Sequence, residues 1–305
     1  MKIAITGGSG FIGRLLAEEC VRIGHEVRVL SRDRKLAING TTTFYGDLLN
    51  LDCDFSAFVK DVDVLYHCAG EVVNKSLMHD VHITGSSRLI EFAKSKVKLW
   101  VQLSSVGAYG NPQQQLITES TLEAPVNIYE ITKTTFDNVV KTSGIPFVII
   151  RPSNVFGLSM KNRSLFQLIN VIEKGLFFYI GRSGSIVNYI DVSDVVKAMV
   201  ICGYNKNAIG NTYVLSQNIT IEKMVEAFRK TLKLNGKVRR FPKLIIQITV
   251  LLFGEIPKFP LNRNRVNALT GRRYYNSEKI VEELDFKFGA PLETQLKSML
   301  INDKK

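Results

Sequence analysis

Residues 2–13, KIAITGGSGFIG, constrain this chain more than any other stretch. Lys2–Thr6 reads as a short buried strand, and glycines follow at 7, 10 and 13. Phe11, Leu15, Leu16, Cys20 and Ile23 then recur at helical spacing. A strand that turns through glycines directly into a helix aims free N–H groups and the positive end of the helix dipole at one spot. Gly7, Gly10 and Gly13 stand in a GxxGxxG spacing, with Phe11 and Ile12 opening the helix. Glycines there allow a sharp turn and a close approach of backbone to a pyrophosphate. The implied ligand is a dinucleotide; a glycine-rich turn without a ligand is the competing reading.

The next 140 residues repeat the pattern. Glu26–Leu30, Val64–His67, Leu99–Leu103 and Phe147–Ile150 read as short strands, and stretches 78–95 and 128–143 as the helices between them. Such alternation predicts an α/β fold of the Rossmann type, a doubly wound parallel sheet covered by helices on both faces. Beyond residue 152 the rhythm loosens. Segments 161–175, 193–202 and 220–233 read as helices, Tyr213–Leu215 as a returning strand, and 276–300 as helical pieces around Pro291. The expected organisation is a dinucleotide-binding domain over 1–152 and a smaller substrate-binding lobe over 153–305, interleaved with the first and joined by no linker.

The second strand ends Val29-Leu30-Ser31-Arg32. A carboxylate at this point accepts from the ribose 2′-OH of NAD, whereas a guanidinium can grip the 2′-phosphate of NADP. Arg32 therefore points to NADP(H), with NAD as the alternative if Asp33 takes the ribose.

The formal net charge is +12, and residues 206–305 hold 19 Lys/Arg against 9 Asp/Glu. No zinc finger, helix-turn-helix spacing or aromatic RNA-binding signature accompanies the charge, so nucleic acid is not expected as a partner. Anionic ligands and solvated surface account for the excess. Cys20, Cys53, Cys68 and Cys202 form no CxxC pair and no metal-ligand spacing with histidine. They read as reduced thiols of a cytoplasmic protein, and no metal is expected. The first residues do not have the form of a signal peptide.

Several later motifs stand in a recognisable order: GDL at 46–48, HCAG at 67–70, SSVGAYG at 104–110, YEITK at 129–133, RPSNVFG at 151–157 and YIDVSDV at 189–195. Together with the glycine loop, they make the chain resemble the extended short-chain dehydrogenase/reductases. That family includes nucleotide-sugar epimerases, dehydratases and ketoreductases, and 3β-hydroxysteroid and dihydroflavonol reductases. The resemblance covers nearly the whole chain. It implies that Asp47 and Leu48 border an adenine and that Ala69 and Gly70 lie against the pyrophosphate and ribose. It further implies that Pro152 and Ser153 lie near the nicotinamide, and that two chains pair through helices 78–95 and 128–143. The sequence departs from the family pattern at His82, where an asparagine is usual, and at Val187, where an arginine is common.

Tyr129 and Lys133 are four residues apart, which puts both on one face of a helix. Hydride transfer at a carbon–oxygen centre needs a proton donor or acceptor at the oxygen. A free phenol titrates near pH 10, about three units too high for a base at neutral pH. A neighbouring ammonium favours the phenolate, so Lys133 is expected to lower the value while also bonding the cofactor ribose. Ser105, at the end of a strand, is expected to hold the substrate oxygen. Its neighbour Ser104 faces the other way on an alternating strand. His67 is expected to pack under the cofactor and His79 to be exposed.

The substrate has two readings. Arg151–Asn154 resembles a segment that meets the diphosphate of a nucleotide sugar, and Arg265 belongs to a basic cluster with Arg263, Arg272 and Arg273. Asn154 and Arg265 would then bind the substrate, which would undergo 4-keto reduction or 4-epimerisation. Arg265 also reads as ordinary basic surface. The other reading is a lipophilic ketone or alcohol. Apolar Leu244–Phe253, flanked by Arg239, Arg240, Lys243 and Lys258, would lie on a membrane surface. The run is apolar nearly all round, which argues instead for burial in a core. A non-catalytic NADPH-binding protein is a third reading, set back by the presence of both Tyr129 and Lys133.

Overall fold

Parallel pairing of short, almost wholly buried strands builds the centre of the molecule. In the computed structural model, which describes residues 1–160, 163–253 and 261–303, five strands arise in the first hundred or so residues. They are β1 (Lys2–Thr6), β2 (Glu26–Ser31), β3 (Thr41–Tyr45), β4 (Val62–His67) and β5 (Val97–Leu103). A two-residue strand β6 (Leu116–Ile117) lies apart, and β7 (Phe147–Pro152) rejoins the sheet. The seventh member, β11 (Thr212–Leu215), comes from beyond residue 152. The order is β11-β7-β5-β4-β1-β2-β3, with every pair parallel. Strand order reverses between β1 and β4. At such a reversal the crossovers leave on opposite faces and open a crevice at the carboxyl ends of the strands.

Valine, isoleucine and leucine fill β4, β5 and β7 because both sheet faces are covered. One face packs on α1 (Phe11–Arg22) and α6 (Val192–Tyr204); the other on α3 (Ser86–Ala93) and α4 (Ile128–Thr142), with the short α2 (Ser56–Val59) beside α3. β3 escaped the sequence reading because it is TTTFY at a sheet edge, half exposed and without an apolar run. The stretch 78–95 is not one α-helix. Its residues Asp80–Gly85 form a π-helical turn before α3. Gly85 crosses there so closely that a Cβ would lie 2.2 Å from the Leu48 carbonyl oxygen.

Residues after 152 also form β8 (Asn154–Phe156), α5 (Ser164–Glu173), β9 (Tyr179–Ile180), β10 (Ile186–Asp191) and β12 (Gln217–Thr220). A three-stranded sheet β12-β10-β8 carries α5, α7 (Ile221–Thr231) and, near the end, α11 (Leu292–Asp303) over its own core around Phe156, Met224 and Leu296. Then come β13 (Arg240–Phe241), α8 (Lys243–Phe253), α9 (Arg263–Thr270), β14 (Tyr274–Tyr275) and α10 (Glu278–Leu284). β13 pairs with β9, and β14 with β6.

α8 corrects one expectation. Its apolar composition does not signal core burial. Ile246 and Val250 are buried, but Leu244, Ile245, Ile248, Leu251 and Leu252 are 50–68% exposed. The helix rests on a small cluster with Ile180 and Val266 that covers only one of its sides. Lys258 and the start of the 161–175 segment lie outside the described residues. Among the described residues no helix is long and apolar enough to cross a membrane.

Candidate active site

The glycine loop closes on itself and on the next strand. Gly7 has φ +68°, and a Cβ there would lie 2.7 Å from the Ala69 nitrogen. A Cβ on Gly13 would meet the Gly7 carbonyl oxygen at 2.3 Å. The loop therefore needs glycine at both positions. The Gly10 N–H donates to the Gly7 carbonyl at 2.8 Å. No side chain caps the start of α1, so the first N–H groups of the helix remain available.

The crevice has two chambers that share Gly7, Gly10 and Cys68–Gly70. One, of about 180 Å³, is lined by Thr6, Ser9, Ser31, Arg32, Asp47, Leu48 and Glu71 among others. The larger, of about 620 Å³, is lined by Phe11, Ile12, Gly13, Ser104, Ser105, Tyr129, Lys133 and Pro152–Val155. At the first chamber Ser31 and Asp33 are tied in a turn, and one Asp33 carboxylate oxygen accepts from the Lys35 N–H at 2.8 Å. Asp33 does not line the chamber; Arg32 does. Asp47 caps its own turn by accepting from the Leu49 N–H at 3.0 Å.

Local sequence sets the register of α4. Asn127 accepts from the Glu130 N–H at 3.1 Å, and Glu130 accepts in return from the Asn127 N–H at 3.3 Å. This capping box fixes where the helix starts and so which residues face the sheet. Tyr129, Lys133 and Asp137 follow at four-residue intervals. The buried Lys133 ammonium donates to the Leu103 carbonyl at 2.5 Å. Burial lowers its pKa, opposed by Asp137. The Tyr129 phenol is pushed up to about 12 by burial and by the Asp137 charge, while a hydrogen bond with Ser105 pulls the other way. The expected lowering of Tyr129 by Lys133 is therefore absent here. The ammonium is held on Leu103, and desolvation of the phenol dominates.

Ser104 and Ser105 part as alternation requires. Ser105 faces the larger chamber and accepts from the Gly107 N–H at 3.1 Å. Ser104 Oγ donates to Asp137 Oδ2 at 2.7 Å inside the protein. Arg151 joins the same carboxylate at 2.9 Å and reaches Glu123 at 2.6 Å. It is 1% exposed. Arg151 therefore belongs to a buried ion cluster and does not meet a diphosphate, which corrects that part of the RPSN reading. The basic cluster near the C-terminus also divides. Arg265 donates to Gln167 on α5, Arg272 to the Ser183 carbonyl, and Arg273 to Gly110 and Asn111. Arg265 does not line either chamber, whereas Asn154 lines the larger one and donates to the Asn188 carbonyl at 3.0 Å.

Two histidines lock the floor. Ser86 Oγ donates to the Val81 carbonyl and so accepts from His67 Nε2; Thr6 Oγ1 accepts from the Ala69 N–H and donates to His67 Nδ1. Packed against Trp100 and Phe136, His67 stays neutral, its pKa held well below the usual range by burial. His82 Nε2 accepts from the Glu71 N–H at 2.8 Å, and its Nδ1 bonds Thr132 on α4 at 2.8 Å. Its ring stands edge-on to Tyr129, and burial brings its pKa down to about 4, with nearby Lys133 acting in the same direction. The residue in the family's asparagine position thus bonds backbone, at the Glu71 N–H. It also links the 70–74 loop to α4. Thr132, Asp137, Glu123 and Ser86 were not singled out in the sequence. The four-residue spacing Tyr129-Lys133-Asp137 was the one signal that could have found Asp137. His79 is exposed. Among the described residues no cluster of His, Cys, Asp or Glu could hold a metal.

A nicotinamide dinucleotide suits these residues on two structural grounds. The loop is cut to glycine where backbone must approach, and the buried Ser153 hydroxyl in the chamber wall has no partner within the protein.

Comparison with known proteins agrees. The model of the NAD-dependent epimerase/dehydratase family matches residues 3–216. UDP-glucose 4-epimerases of Lactobacillus helveticus and Streptococcus mutans are 31% and 32% identical over 175 and 177 residues, 52% of this chain in each case. The chain spans about half the length of these two relatives, 53% of each. The crystal structure of UDP-glucuronic acid 4-epimerase from Bacillus cereus in complex with NAD superposes with a TM-score of 0.76 at 18% identity. The match covers 100% of this chain and 97% of that one, and establishes likeness of fold. With the family model spanning the glycine loop, the Tyr129–Lys133 helix and β11, the chain belongs to the NAD-dependent epimerase/dehydratase family.

Proposed function

We propose that the chain transfers hydride between NADP(H) and the C4 carbon–oxygen centre of a nucleotide-linked sugar. The observation that carries this reading is the shared wall of the 620 Å³ chamber. Ser105, Tyr129 and Lys133 face the glycine loop and Pro152–Asn154 across one space. The cofactor, when bound, supplies or accepts the hydride. Gly7, Gly10, Phe11, Ile12 and Gly13 would hold its pyrophosphate, Ala69 and Gly70 its ribose, Asp47 and Leu48 its adenine, and Pro152 and Ser153 its nicotinamide. Lys133 would bond the nicotinamide ribose.

Ser105 would donate a hydrogen bond to the substrate oxygen. Tyr129 would then donate its phenolic proton to that oxygen as it gains charge. Net reduction of a 4-keto group follows from the NADP(H) preference that Arg32 signals, because a reductase releases its oxidised cofactor whereas an epimerase keeps it and returns the hydride. Epimerisation uses the same three residues and remains the second course of the same chemistry. Asn154, in the chamber wall, would contact the sugar nucleotide, and Arg265, outside both chambers, would act on its diphosphate across solvent. We also propose a homodimer through the outer faces of α3 and α4, where Ile128 and Ile131 are exposed; light scattering that finds only monomer at micromolar concentration rejects it.

A lipophilic substrate is the second reading, favoured by exposed Val72 and Val73 on the rim of the same chamber. The test is a screen of 4-keto-6-deoxy nucleotide sugars, UDP-hexoses and steroid or flavonoid ketones with NADPH and NADH. Turnover of a nucleotide sugar supports the first reading. Turnover of the lipophilic ketones alone replaces it with the second.

A further inference from the structure

Helix α8 presents two opposite apolar sides. At about 100° per residue, Leu244, Ile245, Ile248, Leu251 and Leu252 fall within an arc of about 120°. Ile246 and Val250, the buried pair, face the other way. Gln247 and Thr249 separate the two sides. The five exposed side chains form a ridge of aliphatic groups that no described residue covers. A ridge of this size on a free surface marks a contact site.

Its electrostatic setting is one-sided. Between Thr231 and Phe253 the sequence holds Lys233, Lys237, Arg239, Arg240 and Lys243 and no acidic residue. A cleft of about 910 Å³ opens at the start of α8, lined by Arg182, Arg240, Lys243 and Arg272 with Ser185, Phe241 and Leu244. Arg240 is paired with Glu222 at 2.7 Å, and Arg272 donates to the Ser183 carbonyl at 2.6 Å. Arg182 and Lys243 are exposed at the cleft. Leu244 belongs both to the cleft and to the ridge.

We propose that α8 and this cationic cleft seat the protein on a bilayer surface bearing anionic phospholipid headgroups. An aliphatic ridge beside clustered cations is the form of an interfacial helix, whose apolar side enters the headgroup boundary while the cations meet phosphate. A helical peptide partner would require a groove, and the feature is a ridge. A second copy in a two-fold contact would bring two such cationic surfaces together on chains that each carry +12. Over its described residues the helix is too short to span a bilayer, and the proposed contact is a peripheral one.

The experiment is flotation of the full chain with vesicles of phosphatidylcholine alone and of phosphatidylcholine with 30% phosphatidylglycerol, at low and high salt. Wild type should float with the anionic vesicles, fall away at high salt, and ignore the neutral ones. Ile248→Glu with Leu252→Glu should weaken binding at least about tenfold, and Lys243→Glu should weaken it by roughly fivefold or more. These residues lie outside the cofactor crevice, so NADPH affinity should be unchanged in all variants. In Leu252→Trp the indole emission should shift to the blue on anionic vesicles, the native Trp100 being buried. No flotation of wild type, or flotation untouched by Ile248→Glu with Leu252→Glu, overturns the proposal. A wild-type dimer that these two substitutions dissociate, without vesicle binding, assigns the ridge to a second copy and overturns it as well.

Discussion

The crevice at the β1/β4 reversal and the surface around α8 place polar groups under opposite conditions. In the crevice, buried polar atoms are almost all joined in closed chains. Ala69, Thr6, His67, Ser86 and Val81 form one, and Ser104, Asp137, Arg151 and Glu123 another. The exceptions include the buried Oγ of Ser153, a residue of the chamber wall, and one Asp137 oxygen. Around α8 and α9 Lys243, Arg263, Arg265 and Arg272 are exposed, and Arg265 and Arg272 bond different neighbours, Gln167 and the Ser183 carbonyl. Preorganisation belongs to the first region, where low polarity makes each misplaced group costly. Solvent screens the second. Substitutions should therefore act strongly and specifically in the crevice and weakly in the lobe.

The largest effect should come from Tyr129→Phe. The ring remains, so edge-on packing against His82 and cofactor affinity should survive, while turnover falls by roughly 10² to 10⁴. Lys133→Met should lower turnover too and also weaken cofactor binding, measured by fluorescence titration. Full activity in Tyr129→Phe would remove the proton-donor role and with it the functional contrast between the regions. The phenol should resist ionisation in the free protein: ultraviolet titration should find one fewer tyrosine ionising near pH 12 in Tyr129→Phe, and no difference near pH 10.

His82 gives a pH-dependent test of the same order. Its folded pKa of about 4 lies below the ordinary 6.5, so between these values the unfolded chain binds more protons. Stability from this residue is complete above pH 6.5 and is lost as pH falls towards 4, by roughly 3 kcal/mol in all. His67 acts in the same direction. The measurement is denaturant unfolding of wild type and His82→Asn at pH 7 and 4.5. The variant, which cannot titrate there, should lose less stability on acidification. Equal losses would mean that the Glu71–His82–Thr132 link does not depend on a neutral ring.

Arg32→Ala comes next. Loss of a charge-assisted contact to a 2′-phosphate should weaken NADPH by about ten- to a hundredfold and spare NADH. Equal weakening of both, or a wild type that prefers NADH, rejects the NADP assignment.

The two regions also differ in how far the sequence reveals them. The glycine loop was legible because backbone geometry there admits one residue type, and strands β4, β5 and β7 because a doubly covered sheet demands unbroken apolar runs. Four-residue spacing put Tyr129 and Lys133 on one helix face, but the order of motifs around them was what singled the pair out; the Asn127–Glu130 capping box that fixes the helix phase was not read from the sequence. Arg151 misled because a buried arginine and a ligand-binding arginine look alike until their partners are known. α8 misled for a related reason. Apolar composition reports affinity for a non-aqueous surface and does not say whether that surface is the protein's own core. The threonine-rich edge strand β3 lacked any periodic signal. Where covalent geometry selected the residue the sequence was sufficient, and where long-range packing selected it the sequence was not.

Arg265→Ala should have the smallest effect, and it tests the comparison from the lobe's side. Arg265 is exposed and already donates to Gln167 at 3.1 Å. An exposed cation acting on a diphosphate through solvent contributes about as much as a surface ion pair, roughly 0.2–1 kcal/mol. KM for the nucleotide sugar should then rise by no more than about fivefold, with kcat and NADPH affinity unchanged, because the interaction is equally present in ground and transition states. A rise of a hundredfold would mean that substrate binding draws Arg265 into a water-free contact, as organised as those of the crevice. A fall in kcat at constant KM would place Arg265 in the reacting region itself. No change in any parameter would return Arg265 to the general basic surface and leave Asn154 to hold the substrate.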